Sequence, residues 1–235
     1  MSSPPLGPAE FVDAVLRLQP RLATFDCDGT LWAGDAGEGF FTWELQQGLV
    51  SEEVARWAGP RYADYRAGKV DEDTMCAEMV TMHRGLAEVE VQQAARRYFD
   101  KAFVGEIFPE MRQLVLRLRE SGCEVWAVSS TNEWVIRAAM KHCGIEQDRV
   151  LAAAVAIENG RITDRLVRVP TGAGKPRAIR DVIRRDPDVA FGNSRWDAEM
   201  LEISRYPHAV NPNADLQRIA QAKGWPVYVP DSIRG

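Results

Sequence analysis

The stretch LATFDCDGTL (residues 22–31) decides how this chain is read. Its first four residues, Leu22 to Phe25, are apolar or β-branched and run straight into a polar turn. That is the pattern of a short buried strand whose carboxyl end opens on a loop. Two acids separated by one residue, Asp26 and Asp28, follow at once. Carboxylates at the end of a buried strand are costly unless they bind a cation or do chemistry. A turn brings both near one point, where one side chain can attack and the other can exchange a proton with a leaving group. The backbone carbonyl there can face a metal. Gly29 permits a tight turn, and the N–H groups around it and Thr30 can hold phosphate oxygens. Taken alone, the run also reads as an Asx-turn closed by Asp-Gly, the weaker of the two readings.

Outward from this point, the chain alternates. EVWAV (124–128) is a second buried-strand pattern and ends at Ser129; further strand candidates are 150–157, 189–191, 208–210 and 227–229. Helical patterns lie between them at 111–120, 131–143, 176–185, 198–203 and 214–224. In the first, Met111, Leu114, Val115 and Leu118 recur at three and four residues and share one face. Alternation of this kind predicts an α/β fold, a doubly wound parallel sheet of Rossmann-like form. Ligands in such sheets sit beyond the carboxyl ends of the strands, where Asp26, Ser129 and Asn193 are expected. ENGRIT (158–163), with its Asn-Gly pair, predicts a hairpin turn.

Residues 33–103 break the alternation and read as several helices without a convincing strand. They suggest a helical cap inserted into a core formed by 1–32 and 104–235, the alternative being helices that pack directly on the sheet.

At 235 residues, one domain with an insertion or two small domains is the expectation. The 46% hydrophobic and 27% charged composition argues against disorder and fibrous repeats. The 29 Lys+Arg against 34 Asp+Glu give a net charge of −5, so neither nucleic acid nor an acidic membrane surface is an expected partner. No apolar run approaches the roughly 20 residues that cross a bilayer. The N-terminus, MSSPPLGPAEFVDAVLRL, lacks the basic-then-apolar order of a secretory signal. Cys27, Cys76, Cys123 and Cys143 show no CxxC spacing, and three scattered histidines make a zinc cluster unexpected. The expectation is a cytoplasmic protein with buried thiols, monomeric or homodimeric.

Three more positions carry chemistry. Ser129 closes a strand before a helix, so its hydroxyl and the following N–H, that of Ser130, can bind a phosphate oxygen; a simple N-cap is the plainer explanation. Lys175, in GAGKPRAI, stands in a glycine-bearing loop at a helix start and can neutralise a carboxylate and a transferring phosphoryl group; alone it is a solvated lysine. Gly192-Asn193-Ser194-Arg195-Trp196-Asp197 presents an amide oxygen and a carboxylate suited to Mg2+, or else a capping turn.

Acid pair, hydroxyl, lysine and acidic turn, each at a strand end, together resemble the haloacid dehalogenase-like superfamily of phosphatases. The match spans 22–201 and is nearest the phosphoserine phosphatase-like branch, whose order FDCDGTLW, VWAVSS, GKPRAI, FGNSRWDAEML and HAVNPNADL follow. The resemblance implies a phosphomonoesterase acting on a small phosphorylated metabolite. Asp26 would be the nucleophile that forms an aspartyl-phosphate, and Asp28 the general acid and then base. Mg2+ would be held by Asp26, the Asp28 backbone carbonyl, Asn193 and Asp197. Ser129 and Lys175 would grip the phosphoryl group, with Gly29, Thr30 and Ser130 as further substrate contacts. The acid at Asp28 argues against a dehalogenase.

The sequence departs from the branch twice. Asn193 stands where an acid is usual, which keeps an oxygen ligand and removes one charge. In the cap, Asp35 or Glu38 can supply an acid for a substrate amine, but no arginine falls at the second expected place; Arg61, Arg66 and Arg84 are merely near in sequence. Phosphoserine is therefore not favoured, and a phosphoserine or a phosphocholine phosphatase stand together as the alternatives within the enzyme class. The aromatics Trp32, Phe40, Phe41 and Trp43 either form a cation-binding pocket or pack in the helix core. The competing reading is a non-catalytic phosphate- or metabolite-binding protein that lost efficient metal binding through Asn193.

Overall fold

The computed structural model describes residues 6–234; the first five residues of the N-terminal segment considered above lie outside them. The elements are α1 (Pro8–Leu16), β1 (Leu22–Phe25), α2 (Ala36–Gln47), α3 (Glu52–Arg66), α4 (Glu72–Thr81), α5 (Glu88–Ala102), α6 (Pro109–Glu120) and β2 (Glu124–Asn132). They continue with α7 (Glu133–Cys143), β3 (Val150–Glu158), β4 (Arg161–Arg168), α8 (Gly174–Val182), β5 (Val189–Gly192), α9 (Ala198–Glu202), β6 (Tyr206–Val210), α10 (Ala214–Lys223) and β7 (Val227–Tyr228). One seven-stranded sheet has the order β4-β3-β2-β1-β5-β6-β7. All neighbours pair in parallel except β3 and β4. The doubly wound α/β reading of the sequence is the fold observed.

β1, apolar except for Thr24, is the central strand. All four residues are buried, and Ala23 pairs with Val125 of β2 on one side and Val189 of β5 on the other. Helix α6 covers the sheet with Met111, Leu114, Val115 and Leu118, each fully buried, as their spacing requires. The Asn159-Gly160 pair turns β3 into β4 with φ of 50° and 74°, the two positive angles that a tight hairpin needs. Helix α1, not singled out in the sequence, lays Phe11 flat on Tyr228 at 3.8 Å and edge-on to Phe191, covering the sheet beside β5 and β7.

Of the boundaries that differ from the sequence reading, two matter for the site. β2 does not stop at Val128 but continues to Asn132. The step from Val128 to Asn132 matches only Leu151 to Ala153 on β3, so Ser129, Ser130 and Thr131 bulge out of the ladder. Helix α7 then starts at Glu133, capped by the Asn132 side chain, which accepts from Val135 N at 3.0 Å. Likewise α8 begins at Gly174, which places Lys175 within its first turn rather than in the loop before it.

Between β1 and α6 lie α2 to α5. Their packing is divided. Phe41, Val50, Ala58 and Met82 form a small cluster of their own. Phe40 of α2 and Val91, Ala94, Ala95 and Phe99 of α5 belong instead to the core that also holds Phe25 and Trp134. Trp32, Phe40 and Phe41 are buried, Trp43 packs against them, and Trp32 meets Phe99 edge-on at 5.2 Å, so these aromatics are packing residues. All four cysteines are free thiols. Among the described residues no helix is long and apolar enough to cross a membrane.

Candidate active site

The carboxyl ends of β1, β2 and β5 converge on a cavity of about 210 Å³. Asp26, Asp28, Ser129, Ser130, Lys175, Asn193 and Asp197 all line it, together with Asp35, Tyr65, Glu72 and Thr131.

Asp26 is held at the rim by the sheet itself, since its N–H completes the β1–β5 ladder on the Phe191 carbonyl at 2.9 Å. The chain then reverses sharply. Thr30 and Leu31 N–H groups return to the Cys27 carbonyl and Gly29 N–H reaches the Trp32 carbonyl. Gly29 is required twice over: its φ is 75°, and a Cβ there would sit 1.9 Å from the Asn193 amide nitrogen. These turn bonds correct one expectation. The Gly29 and Thr30 N–H groups are used inside the turn and neither residue lines the cavity, so they do not present donors to a phosphate. Thr30 instead donates its hydroxyl to Asp26 Oδ2 at 2.8 Å.

Lys175 is the hub. Its buried ammonium donates to Asp26 Oδ1 at 2.7 Å, to Asp197 Oδ1 at 2.5 Å and to the Val128 carbonyl at 2.9 Å. Burial works against its charge, but the carboxylates of Asp197 and Asp26 outweigh that and hold its pKa above the ordinary value. Asp26 is pushed up to about 6, first by burial and then by the Asp197 charge, with Lys175 and Thr30 opposing.

Asp197 lines the same cavity and ties two elements of it together. Its Oδ1 is on Lys175, while Oδ2 accepts from the Asn193 and Ser194 N–H groups, both at 2.9 Å, and from the Ser194 hydroxyl at 3.2 Å. Through these bonds Asp197 fixes both the lysine and the loop. Asn193 is pinned from the other side, where its carbonyl accepts from Asn213 N at 2.8 Å. Asn211 donates its side-chain amide to the Gly29 carbonyl, so the HAVNPNADL segment braces both loops.

Asp28 points elsewhere. Its Oδ1 accepts from the Trp32 indole at 2.7 Å and from Ala36 N at 2.6 Å, and its Oδ2 from the Thr131 hydroxyl at 2.7 Å. Burial and the neighbouring Asp35 charge push it up to about 8, against those three hydrogen bonds. Two carboxyls two residues apart thus have distinct proton affinities, which suits one to attack and the other to carry a proton.

A metal at this place would find only oxygen donors. No group of three His, Cys, Asp or Glu side chains suited to a metal occurs among the described residues. The oxygen donors expected for a metal here, the Asp26 carboxylate, the Asp28 backbone carbonyl and the Asn193 and Asp197 side chains, belong to residues that all line the cavity, which has space for water. Hard oxygen donors few in number, completed by water, fit Mg2+ and do not fit zinc.

The cavity extends under the helices. A smaller lobe is lined by Glu38, Tyr62, Met75, Cys76 and Met79, and shares Asp35, Tyr65, Glu72, Ser130 and Thr131 with the first. Asp35 caps α2 by accepting from Glu38 N and faces the opening. Arg66 lies 3.7 Å from Glu38, whereas Arg61 pairs with Glu78 and Arg84 with Asp164, and none of the three lines either lobe. Tyr65, Glu72 and Thr131 escaped the sequence reading. Thr131 was hidden by assigning it to a helix; Tyr65 and Glu72 stand on α3 and α4, where their pattern is that of ordinary exposed helix positions.

Comparison with known proteins bears on the family and the fold. A family model described as haloacid dehalogenase-like hydrolase matches residues 23–202. A histidinol-phosphatase of Neisseria meningitidis serogroup C (strain 8013) is 26% identical over 218 residues, covering 88% of this chain and 97% of that protein. A protein of unknown function from Bordetella pertussis Tohama I superposes with a TM-score of 0.78 at 21% identity, over 88% of this chain and 97% of that one. A phosphoserine phosphatase solved as a phospho-aspartyl intermediate analogue has a TM-score of 0.58 at 15% identity, over 89% and 92% of the two chains.

Proposed function

This chain belongs to the haloacid dehalogenase-like hydrolase family, and we propose that it is a Mg2+-dependent phosphomonoesterase working through an aspartyl-phosphate. The observation that carries the proposal is the Lys175 bridge between Asp26 and Asp197, with Asp28 in the same cavity but held by separate donors. A buried lysine that neutralises one carboxylate at the mouth of a cavity keeps that carboxylate ionised, which is the state a nucleophile needs.

In the proposed reaction a phosphate monoester enters with its phosphoryl group at Asp26, Ser129 and Lys175. A carboxylate oxygen of Asp26 bonds to phosphorus while the bond to the leaving oxygen breaks, and Asp28 gives that oxygen a proton. Water then attacks the phosphoryl-aspartate, Asp28 takes up one of its protons, and inorganic phosphate leaves with Asp26 restored. Mg2+, held by Asp26, the Asp28 carbonyl and Asn193, would neutralise phosphoryl charge throughout.

The α2–α5 insertion, residues 33–103 in this reading, serves as the cap that receives the leaving group. Its lobe carries three carboxylates and two tyrosine rings, and no lysine or arginine. That lining supports a leaving alcohol bearing an ammonium or imidazolium and no carboxylate, as in an amino-alcohol phosphate. The relative named histidinol-phosphatase supports the same class. The free thiols support a reducing, cytoplasmic setting.

Phosphate release from histidinol phosphate, phosphocholine, ethanolamine phosphate, phosphoserine and a sugar phosphate, each with and without Mg2+, tests the proposal. Turnover of the cationic esters, at least about tenfold above phosphoserine, is expected from a charge preference worth 1.4 kcal/mol or more. No release from any ester in the presence of Mg2+ would overturn it.

A further inference from the structure

The two oxygens of Asp28 are not equivalent. Oδ1 receives the Trp32 indole N–H at 2.7 Å and the Ala36 backbone N–H at 2.6 Å. Both groups can only donate, so Oδ1 has to remain a bare acceptor in either protonation state of the carboxyl group. Oδ2 receives the Thr131 hydroxyl at 2.7 Å. A hydroxyl accepts from an acid and donates to a carboxylate, so this contact survives the gain or loss of a proton.

Thr131 is itself firmly placed. It lies in the bulge of β2, and its N–H donates to Ser129 Oγ at 3.1 Å. The first turn of α2 lies over its hydroxyl so closely that a Cβ on Gly37 would stand 2.5 Å from Thr131 Oγ1. The residue therefore ties three things together: the phosphoryl-binding serine, the proton-carrying acid and the insertion that covers them.

Resting on the phosphatase reading, we infer that Thr131 is a positioning residue for proton transfer, which makes Oδ2 of Asp28 the oxygen that carries the proton and aims it at the leaving group. The hydroxyl accepts from the resting acid, then donates to Oδ2 once the proton has turned toward the leaving oxygen. As the phosphorus–oxygen bond breaks, its electron pair stays with the leaving oxygen, which takes the proton from Oδ2. Thr131 then donates to the new carboxylate. In the second half the attacking water returns a proton to Oδ2 as its oxygen bonds to phosphorus and Asp26 departs. Without Thr131 the phosphoryl transfer remains, but the acid is no longer aimed.

The leaving group reads this out. Nitrophenolate departs without protonation, whereas phenolate and alkoxide need the acid. Thr131→Val keeps the shape and removes the hydroxyl; Thr131→Ser keeps the hydroxyl. The measurement is kcat/KM, which reports the step in which the leaving group departs, for p-nitrophenyl phosphate, phenyl phosphate and ethanolamine phosphate. Thr131→Val should stay within about threefold of the native enzyme on the nitrophenyl ester and lose about thirtyfold to a hundredfold on the other two, part of the usual worth of a general acid. Thr131→Ser should restore both. Gly37→Ala, which presses a methyl onto the hydroxyl, should show the valine pattern in weaker form. An equal loss on all three esters, or none, would overturn the role of Thr131. Failure of the native enzyme to hydrolyse any of them would remove the phosphatase reading, and the inference with it.

Discussion

At the scale of single residues, the division of labour between Asn193 and Asp197 is the sharpest consequence of the geometry. Asn193 is the neutral member of the oxygen set, so Asn193→Asp adds a unit charge close to the cation. At roughly 4 Å an added charge pair is worth about 1–4 kcal/mol, depending on how wet the site is. Half-activation by Mg2+ should then require about tenfold less metal. Asp197→Asn acts elsewhere, because its oxygens hold Lys175 and the loop. It should lower kcat at saturating Mg2+ by about tenfold or more, the scale of a lost charge-assisted bond, and leave half-activation nearly unchanged. Mg2+ titrations of activity in both variants check this; a large shift for Asp197→Asn would make it a ligand after all. The candidate residues themselves were legible, since acids after a buried strand announce themselves. Their bonding was not. Nothing in GNSRWD says that both Asp197 oxygens are used, and nothing in DCDGT says which oxygen of Asp28 stays free of N–H donors.

At the scale of elements, the turns at the sheet's carboxyl edge carry more information than the strands feeding them. β1, β3, β5, β6 and the α6 face follow from apolar runs and three-four spacing, because burial alone sets those patterns. β2 overran its expected end because a bulge has no compositional signature: SST is as much at home in a helix start as in a strand. α1 was missed because its buried residues, Phe11, Val12 and Val15, are too few to show a long period. The β1–α2 turn gives a direct test of how tightly the two loops fit. Gly29→Ala forces a side chain into left-handed backbone, costing about 1–2 kcal/mol, and its methyl displaces Asn193. Denaturant unfolding should register at least that loss, and Mg2+ half-activation should weaken in the same variant. Retained metal activation with only the stability loss would separate Asn193 from the metal set.

For the molecule as a whole, α1 closes the sheet beside β5 and β7, and the acid sensitivity predicted for that closure rests on His208. His208 sits on β6 with its ring 5.2 Å from Phe191 and 6.1 Å from Phe11, so it lies where α1 seals the sheet. Burial pulls its pKa from 6.5 down to about 4, against the Tyr206 carbonyl that Nδ1 meets at 3.1 Å. Above pH 6.5 the ring is neutral whether the chain is folded or not, and its contribution is intact. As the pH falls from 6.5 toward 4 the unfolded chain binds the proton first, so stability drains away over that window and is fully lost below it. A shift of this size is worth about 3 kcal/mol as an upper bound, and less where water reaches the ring. His208→Phe keeps an aromatic ring and removes the titration. Between pH 7 and pH 4 the native protein should therefore lose about 2 kcal/mol more stability than the variant, read as the difference between their denaturant midpoints at each pH. Because every other titrating group is common to both chains, the subtraction isolates His208. Parallel curves for the two proteins would mean that the ring is charged without opening the α1 face, and the acid sensitivity would have to lie elsewhere.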